Sequence, residues 1–249
     1  MIKQKYTNTG VSDALGYILV FSIILSSVAV GFTIGLPELE SAQEREQIQN
    51  IERSYDIIKT NMNDVVWNME IRRSTQIKLE DSQLRGGETQ NVAVNIPSQD
   101  RTISIDYTPM VYDAPGDTEF TYENGAVIRS SGQYGDIMIH EPQFQEAGGE
   151  LLVPFIETRQ RGDNISGGTR DIEKQRVSDG FITEVDVSTD DDANISVTTE
   201  YPDAWLLYFS EQEFTESCIE SNPNEITCDF DDSVETLQIR SIAVDFRFR

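Results

Sequence analysis

The chain has 249 residues, enough for a membrane segment plus one domain with a proper core, and too few for two such domains. Its 44 acidic and 19 basic residues give a formal charge of −25, a field that repels nucleic acid and anionic lipid and excludes DNA and RNA as partners. Only five of the basic residues are lysine (Lys3, Lys5, Lys59, Lys78, Lys174), the acids are spread along the chain, and apolar residues reach 38%, which points to a folded protein suited to concentrated salt and not to disorder.

Residues 1–10 form a short polar leader with Lys3 and Lys5, and they end at Gly10. From Ala14 to Leu36 there follow 23 residues without a charge. As a helix that run is about 35 Å long, enough to cross a hydrocarbon core of about 30 Å. A transmembrane helix over 11–37 is therefore expected, with the lipid bilayer as its partner. The lysines lie before it and Glu38, Glu40, Glu44 and Glu46 after it, so the N-terminus stays cytoplasmic and the rest of the chain is extracellular. The run is too long for a cleaved secretory signal. Ser27, Gly31 and Gly35 are spaced four apart on one face, a small-residue stripe through which two helices in lipid can pack closely. Pro37 then kinks or resets the helix.

Gly10 followed by Val11-Ser12, with Gly16 inside an apolar helix, resembles the N-terminus of haloarchaeal type IV pilins and pilin-like proteins, and the opening through Asn68 resembles that of an uncharacterised haloarchaeal membrane family. The resemblance implies removal of the leader between Gly10 and Val11 by a prepilin peptidase, and bundling of the apolar helices with those of other pilin-like subunits. The bacterial pilins carry a glutamate five residues after the cut. Leu15 stands at that position here, and Asp13 is the nearest acid.

A second, amphipathic helix is expected over 38–70. Ile48, Ile51, Tyr55, Ile58, Met62, Val65 and Met69 alternate spacings of three and four, an apolar seam flanked by polar residues. The seam either packs on the following domain or zips with a neighbouring chain.

From Thr75 onward the pattern changes to short β-rich runs at 75–79, 92–96, 102–107, 126–130, 136–140, 151–158, 180–188, 195–201 and 236–247, punctuated by Gly, Pro, Asn and Asp. Asn124-Gly125 marks a tight hairpin, and Pro202-Asp203 opens one short helix. The segment 158–178, rich in Arg, Gly and Asp, reads as a loop. The fold class expected is α+β: a long N-terminal helix packed on a mainly antiparallel, β-sandwich-like exported acidic domain over 75–249.

Cys218 and Cys228 flank a turn at Asn222-Pro223, which brings two extended arms together and permits a disulfide outside the cell. Asn164 and Asn194 each begin an Asn-Ile-Ser glycosylation acceptor in loop-like surroundings. Asp190, Asp192 and Asn194 have the opening spacing of a calcium loop, but Ile195 and Tyr201 stand where such a loop needs glycine and glutamate. With one histidine, His140, two cysteines and no phosphate-binding motif, no catalytic, cofactor or metal site is expected. The reading is a single-pass, membrane-anchored, pilin-like cell-surface protein with a structural or adhesive role. The alternative is a tethered extracellular binding or structural module that never polymerises.

Overall fold

The computed structural model describes residues 9–79, 82–114, 116–132, 134–187 and 192–249, with the backbone alone for 9–13. The chain divides into two compact units, one reaching Gln49 and the other Asn50–Arg249.

In the first unit helix α1, Thr9–Val30, leads into a π-helical segment Gly31–Gly35, after which helix α2 runs Leu36–Val66. Pro37 explains the change of winding. Its ring collides with the carbonyl four residues back and it donates no hydrogen bond, and a widened turn relieves both conflicts. Within this segment the Thr33 hydroxyl donates to the Ala29 carbonyl at 2.9 Å.

In the second unit, α2 buries Ile51, Tyr55, Ile58, Met62 and Val65, so the seam packs on the domain. The helix stops at Val66, short of the expected residue 70. Met69 lies outside it with φ +59° and 37% exposed. The stop has a cause: the Arg240 guanidinium donates to the Val66 carbonyl at 2.8 Å and lies 4.6 Å over the Trp67 ring, a cation at the negative end of the helix.

The strands follow in chain order: β1 Arg72–Lys78, β2 Gln83–Gly86, β3 Gln90–Ile96, β4 Arg101–Tyr107, β5 Met110–Ala114 and β6 Thr118–Glu123. Next come β7 Ala126–Ser131, β8 Gly135–His140, β9 Gln145–Ala147, β10 Glu150–Gln160, β11 Ile165–Ser166 and β12 Thr169–Arg176. Then follow β13 Phe181–Asp186, β14 Asn194–Thr198, helix α3 Pro202–Ser210, β15 Thr215–Asn222, β16 Glu225–Phe230 and β17 Thr236–Phe248. They make three sheets. Sheet I has the order β1-β12-β17-β10-β9, with β13 also on β17; sheet II is β11-β2-β5-β6-β7-β8; sheet III is β15-β16-β14-β3-β4. Among the described residues every strand pair is antiparallel except β10 with β17.

Sheets I and II form a middle layer, as shown by side-chain parity. On one side lies α2: Tyr55 stacks near Phe120 of β6 at 5.7 Å, and Asn61 donates to Thr75 of β1 at 2.7 Å. On the other side one core joins Val92 and Val94, Ile128, Val153 and Phe155, Ile195, Trp205 and Phe209, Ile226, and Leu237 and Ile239. The α+β expectation holds, with α2 packed on a mainly antiparallel sandwich.

Two local expectations fail. The segment 158–178 is not a loop: it holds the end of β10, then β11, then β12, which lies between β1 and β17. Its charged, Gly-led sequence hides a strand because Ile172 and Lys174 alone carry the buried face of Thr169–Arg176. Asn194 is likewise not in a loop but opens β14, between β16 and β3. The Asn124-Gly125 hairpin is as expected: Glu123 pairs with Ala126, leaving a two-residue turn with φ of +38° and +89°.

Candidate functional site

Two regions carry functional meaning, the apolar helix and the polar fastenings of the head. The helix contains an 18-residue stretch of mean hydropathy 2.3, none of it buried. From Leu15 to Leu36 each large apolar side chain that the structure describes is 45% exposed or more. A helix so apolar on every side needs an apolar surrounding, and among the described residues it is the one helix long and apolar enough to cross a membrane. The chain thus carries a candidate membrane anchor.

Ser27, Gly31 and Gly35 lie along this anchor. The Ser27 hydroxyl donates to the Ile24 carbonyl at 2.8 Å, so its polarity is satisfied within the helix. A Cβ added at Gly31 or Gly35 would meet nothing within 4 Å, so no packing inside the chain accounts for either glycine. Gly10 and Val11 fall in the first turn of α1, while the basic leader residues 1–8 lie outside the described residues.

In the head, β6 presents Glu119, Thr121 and Glu123 at alternate positions toward the β14–α3 crossover. Glu123 is fully buried and accepts from Thr199 Oγ1 at 2.7 Å and from Trp205 Nε1 at 2.5 Å. Burial pushes its carboxyl up to about 7, against the pull of those two donors. The Tyr201 hydroxyl is bonded to Thr121 at 2.8 Å and donates to Glu119 at 3.2 Å. Arg85 donates to Asp113 at 3.0 Å and to Glu119 at 2.9 Å. Glu119 is raised by burial and by its hydrogen bond with Asp113, with Arg85 opposing.

The opposite face of sheet II is fastened by α2. Lys59 donates to the Gly125 and Glu141 carbonyls, and burial lowers its ammonium to about 8. Lys174 on β12 donates to Thr75 and is lowered by burial to about 7. His140 meets Asp56 of α2 at 2.5 Å and Arg129 lies 3.6 Å from Glu52, so the lone histidine belongs to this helix clamp. Sequence reasoning missed Glu123 and Lys174 because a charged residue reads as solvent-facing in strand and loop alike, and only partners on other elements reveal otherwise.

Cys218 and Cys228 face each other across β15 and β16 and are joined, with Cα atoms 4.1 Å apart, at a hairpin turned by Pro223-Asn224. Asn164 is exposed beside β11, its Oδ1 accepting from Gln160 Nε2 at 2.9 Å. Asn194 is half-buried in its strand, with Oδ1 held by Asn95 Nδ2 at 3.0 Å, which makes it the poorer acceptor of a glycan. Asp190 lies outside the described residues. Asp192 and Asn194 line an open hollow of about 300 Å³ with Glu216, Asp229, Asp231 and Asp232. No group of three or more His, Cys, Asp or Glu among the described residues is arranged to hold a metal ion. Glu123 has the raised pKa of a general acid but is sealed from any substrate; its role is to fasten α3.

Helix and head together define a class: a β-sandwich head whose leading helix extends into a candidate membrane anchor. The chain belongs to a family of unknown function, DUF7289, which matches residues 9–247 and so takes in anchor and head alike. No curated protein and no solved structure matches it.

Proposed function

We propose that the chain is a single-pass, pilin-like cell-surface protein with a structural or adhesive role. The observation that carries this is the fully exposed apolar run of α1 joined through α2 to a folded head. Lys3 and Lys5 before the run and Glu38, Glu40, Glu44 and Glu46 after it support a cytoplasmic N-terminus and an extracellular head. The Cys218–Cys228 bond and exposed Asn164 suit that side of the membrane. Gly10-Val11 supports removal of the leader by a prepilin peptidase, which leaves the apolar helix free to join those of other subunits through the Ser27, Gly31 and Gly35 face. No reaction, cofactor or nucleic-acid partner is assigned. The charge of −25 with few lysines supports a head built for concentrated salt.

The test is the mature N-terminus together with the fraction that contains it. Intact-mass analysis of membranes and of sheared surface filaments should find a chain starting at Val11 in both. A start at Met1, or one beyond Leu36, overturns the processing. Leu15, in the place of the glutamate of bacterial pilins, favours a second reading, a tethered module that does not polymerise; it predicts the same chain in membranes and none in the sheared fraction.

A further inference from the structure

Of the two Asn-Ile-Ser acceptors in the head, one is presented to solvent and the other is tied down. Asn164 stands exposed just ahead of β11, a strand that pairs with β2 through Ile165 and Ser166 only. Its amide oxygen faces inward: Oδ1 accepts from the Gly86 N–H at 3.4 Å and from Gln160 Nε2 at 2.9 Å. Two donors on one end of the amide fix that end as the oxygen and turn Nδ2 outward, where among the described residues it has no hydrogen-bond partner. Ser166 is exposed as well, and the chain bends away at Gly167 and Gly168, both at positive φ.

Asn194 begins the same tripeptide in opposite surroundings. It opens β14, which is paired on both sides, with β16 and with β3. Its Oδ1 accepts from Asn95 Nδ2 at 3.0 Å and its own Nδ2 donates to the Asp192 carbonyl at 3.3 Å, so both ends of this amide are in use. A sugar on that nitrogen would crowd the bond to Asp192, and an enzyme could reach the half-buried acceptor only by drawing β14 out from between its two neighbours.

We infer that Asn164 carries an N-linked glycan and that Asn194 carries none. The inference rests on the extracellular head proposed above, since the sequon acts as an acceptor on that side of the membrane. The donor is an oligosaccharide joined through its anomeric carbon to a lipid phosphate. Asn164 Nδ2 forms the new bond to that carbon, and the carbon's bond to the phosphate oxygen breaks. The phosphate leaves with the electron pair, and one amide proton passes to a base of the transferase. The product is still an amide, so Oδ1 keeps its bonds to Gly86 and Gln160 and holds the first sugar at a fixed place beside β2.

The test takes the full chain from the membranes of the cells that make it. Cleavage after Arg and Lys separates the two acceptors, Asn164 in the peptide 162–170 and Asn194 in the peptide 177–240. Mass analysis should find 162–170 several-fold more often with added sugar mass than without, and 177–240 bare. Ser166→Ala, which breaks the acceptor and leaves the Asn164 amide in place, should return 162–170 to its bare mass, while Ser196→Ala should change neither peptide. A bare 162–170, sugar on 177–240, or sugar that survives Ser166→Ala would each overturn the inference. Proteolysis of intact cells tells its failure from that of the topology: a bare 162–170 shed from the surface overturns the glycan and leaves the extracellular head standing, whereas a bare 162–170 released only after lysis overturns both.

Discussion

The two faces of sheet II are held by different chemistry. Toward α2, β5 and β6 present Met110, Tyr112, Phe120 and Tyr122, all buried, and the helix answers with Tyr55 and Ile58 plus one buried cation, Lys59. Toward α3 the same strand presents Glu119, Thr121 and Glu123, and the crossover answers with Tyr201, Thr199 and Trp205. An amphipathic helix brings its own apolar seam, so shape and area hold it. A short helix at the end of a crossover has few residues to contribute, and directed hydrogen bonds to a strand set its position. The α3 face is therefore the more sensitive to single substitutions, and the two faces respond to pH in opposite directions.

The largest expected effect is Trp205→Ala, which empties a fully buried site and removes a donor from Glu123; it should cost about 3–5 kcal/mol in denaturant unfolding. Next comes pH, which separates the faces. Glu123 titrates near 7 in the folded chain, above its ordinary 4.5, so ionisation is harder when folded and stability falls as pH rises from about 4.5 to 7. A shift of that size corresponds to roughly 3 kcal/mol. Lys59 and Lys174 act oppositely: lowered from 10.5 to about 8 and 7, they make stability rise with pH from those values toward 10.5. Melting temperature against pH should therefore show a trough near 7–8. Glu123→Gln should flatten the acid limb alone and Lys59→Met should weaken the alkaline limb alone; a single substitution that moves both limbs would show that the faces are not independent.

Reduction of Cys218–Cys228 acts on the β15–β16 hairpin, whose Cys228 shares the core with Trp205 and Phe209 of α3, and it changes none of the buried titrating groups. It should lower stability by about 2–3 kcal/mol through the freed loop and leave the shape of the pH profile unchanged. The smallest effect belongs to Tyr55→Phe, which removes the hydroxyl donated to the Met110 carbonyl at 3.2 Å while keeping the ring, and should cost about 1 kcal/mol.

The sequence made the α2 face legible and most of the α3 face illegible. Periodicity located Ile51 through Val65 because an amphipathic helix writes its burial into local spacing. The Asn124-Gly125 turn and the start of α3 at Pro202 were readable for the same reason, since two or three adjacent residues fix the backbone there. Glu123 and Lys174 were not, because a charged side chain becomes a core residue only through partners far away, Thr199 and Trp205 for one and Thr75 for the other. Met69 misled for a related reason: it continues the seam in spacing, but Arg240, 171 residues later, closes the helix before it.

The parallel pairing of β10 with β17 sets an order on how the head assembles. Thr236–Phe248 is flanked by β10 on one side and by β12 and β13 on the other, and its match to β10 begins with Glu150 opposite Thr236. Sheet I therefore has no middle until this stretch is in place, although its other strands precede it in the chain. Contacts this distant in sequence close slowly. Until then Val153, Phe155 and Ile172 lack the β17 neighbours that flank them in the finished sheet, so the apolar faces of sheet I are completed by the last strand of the chain.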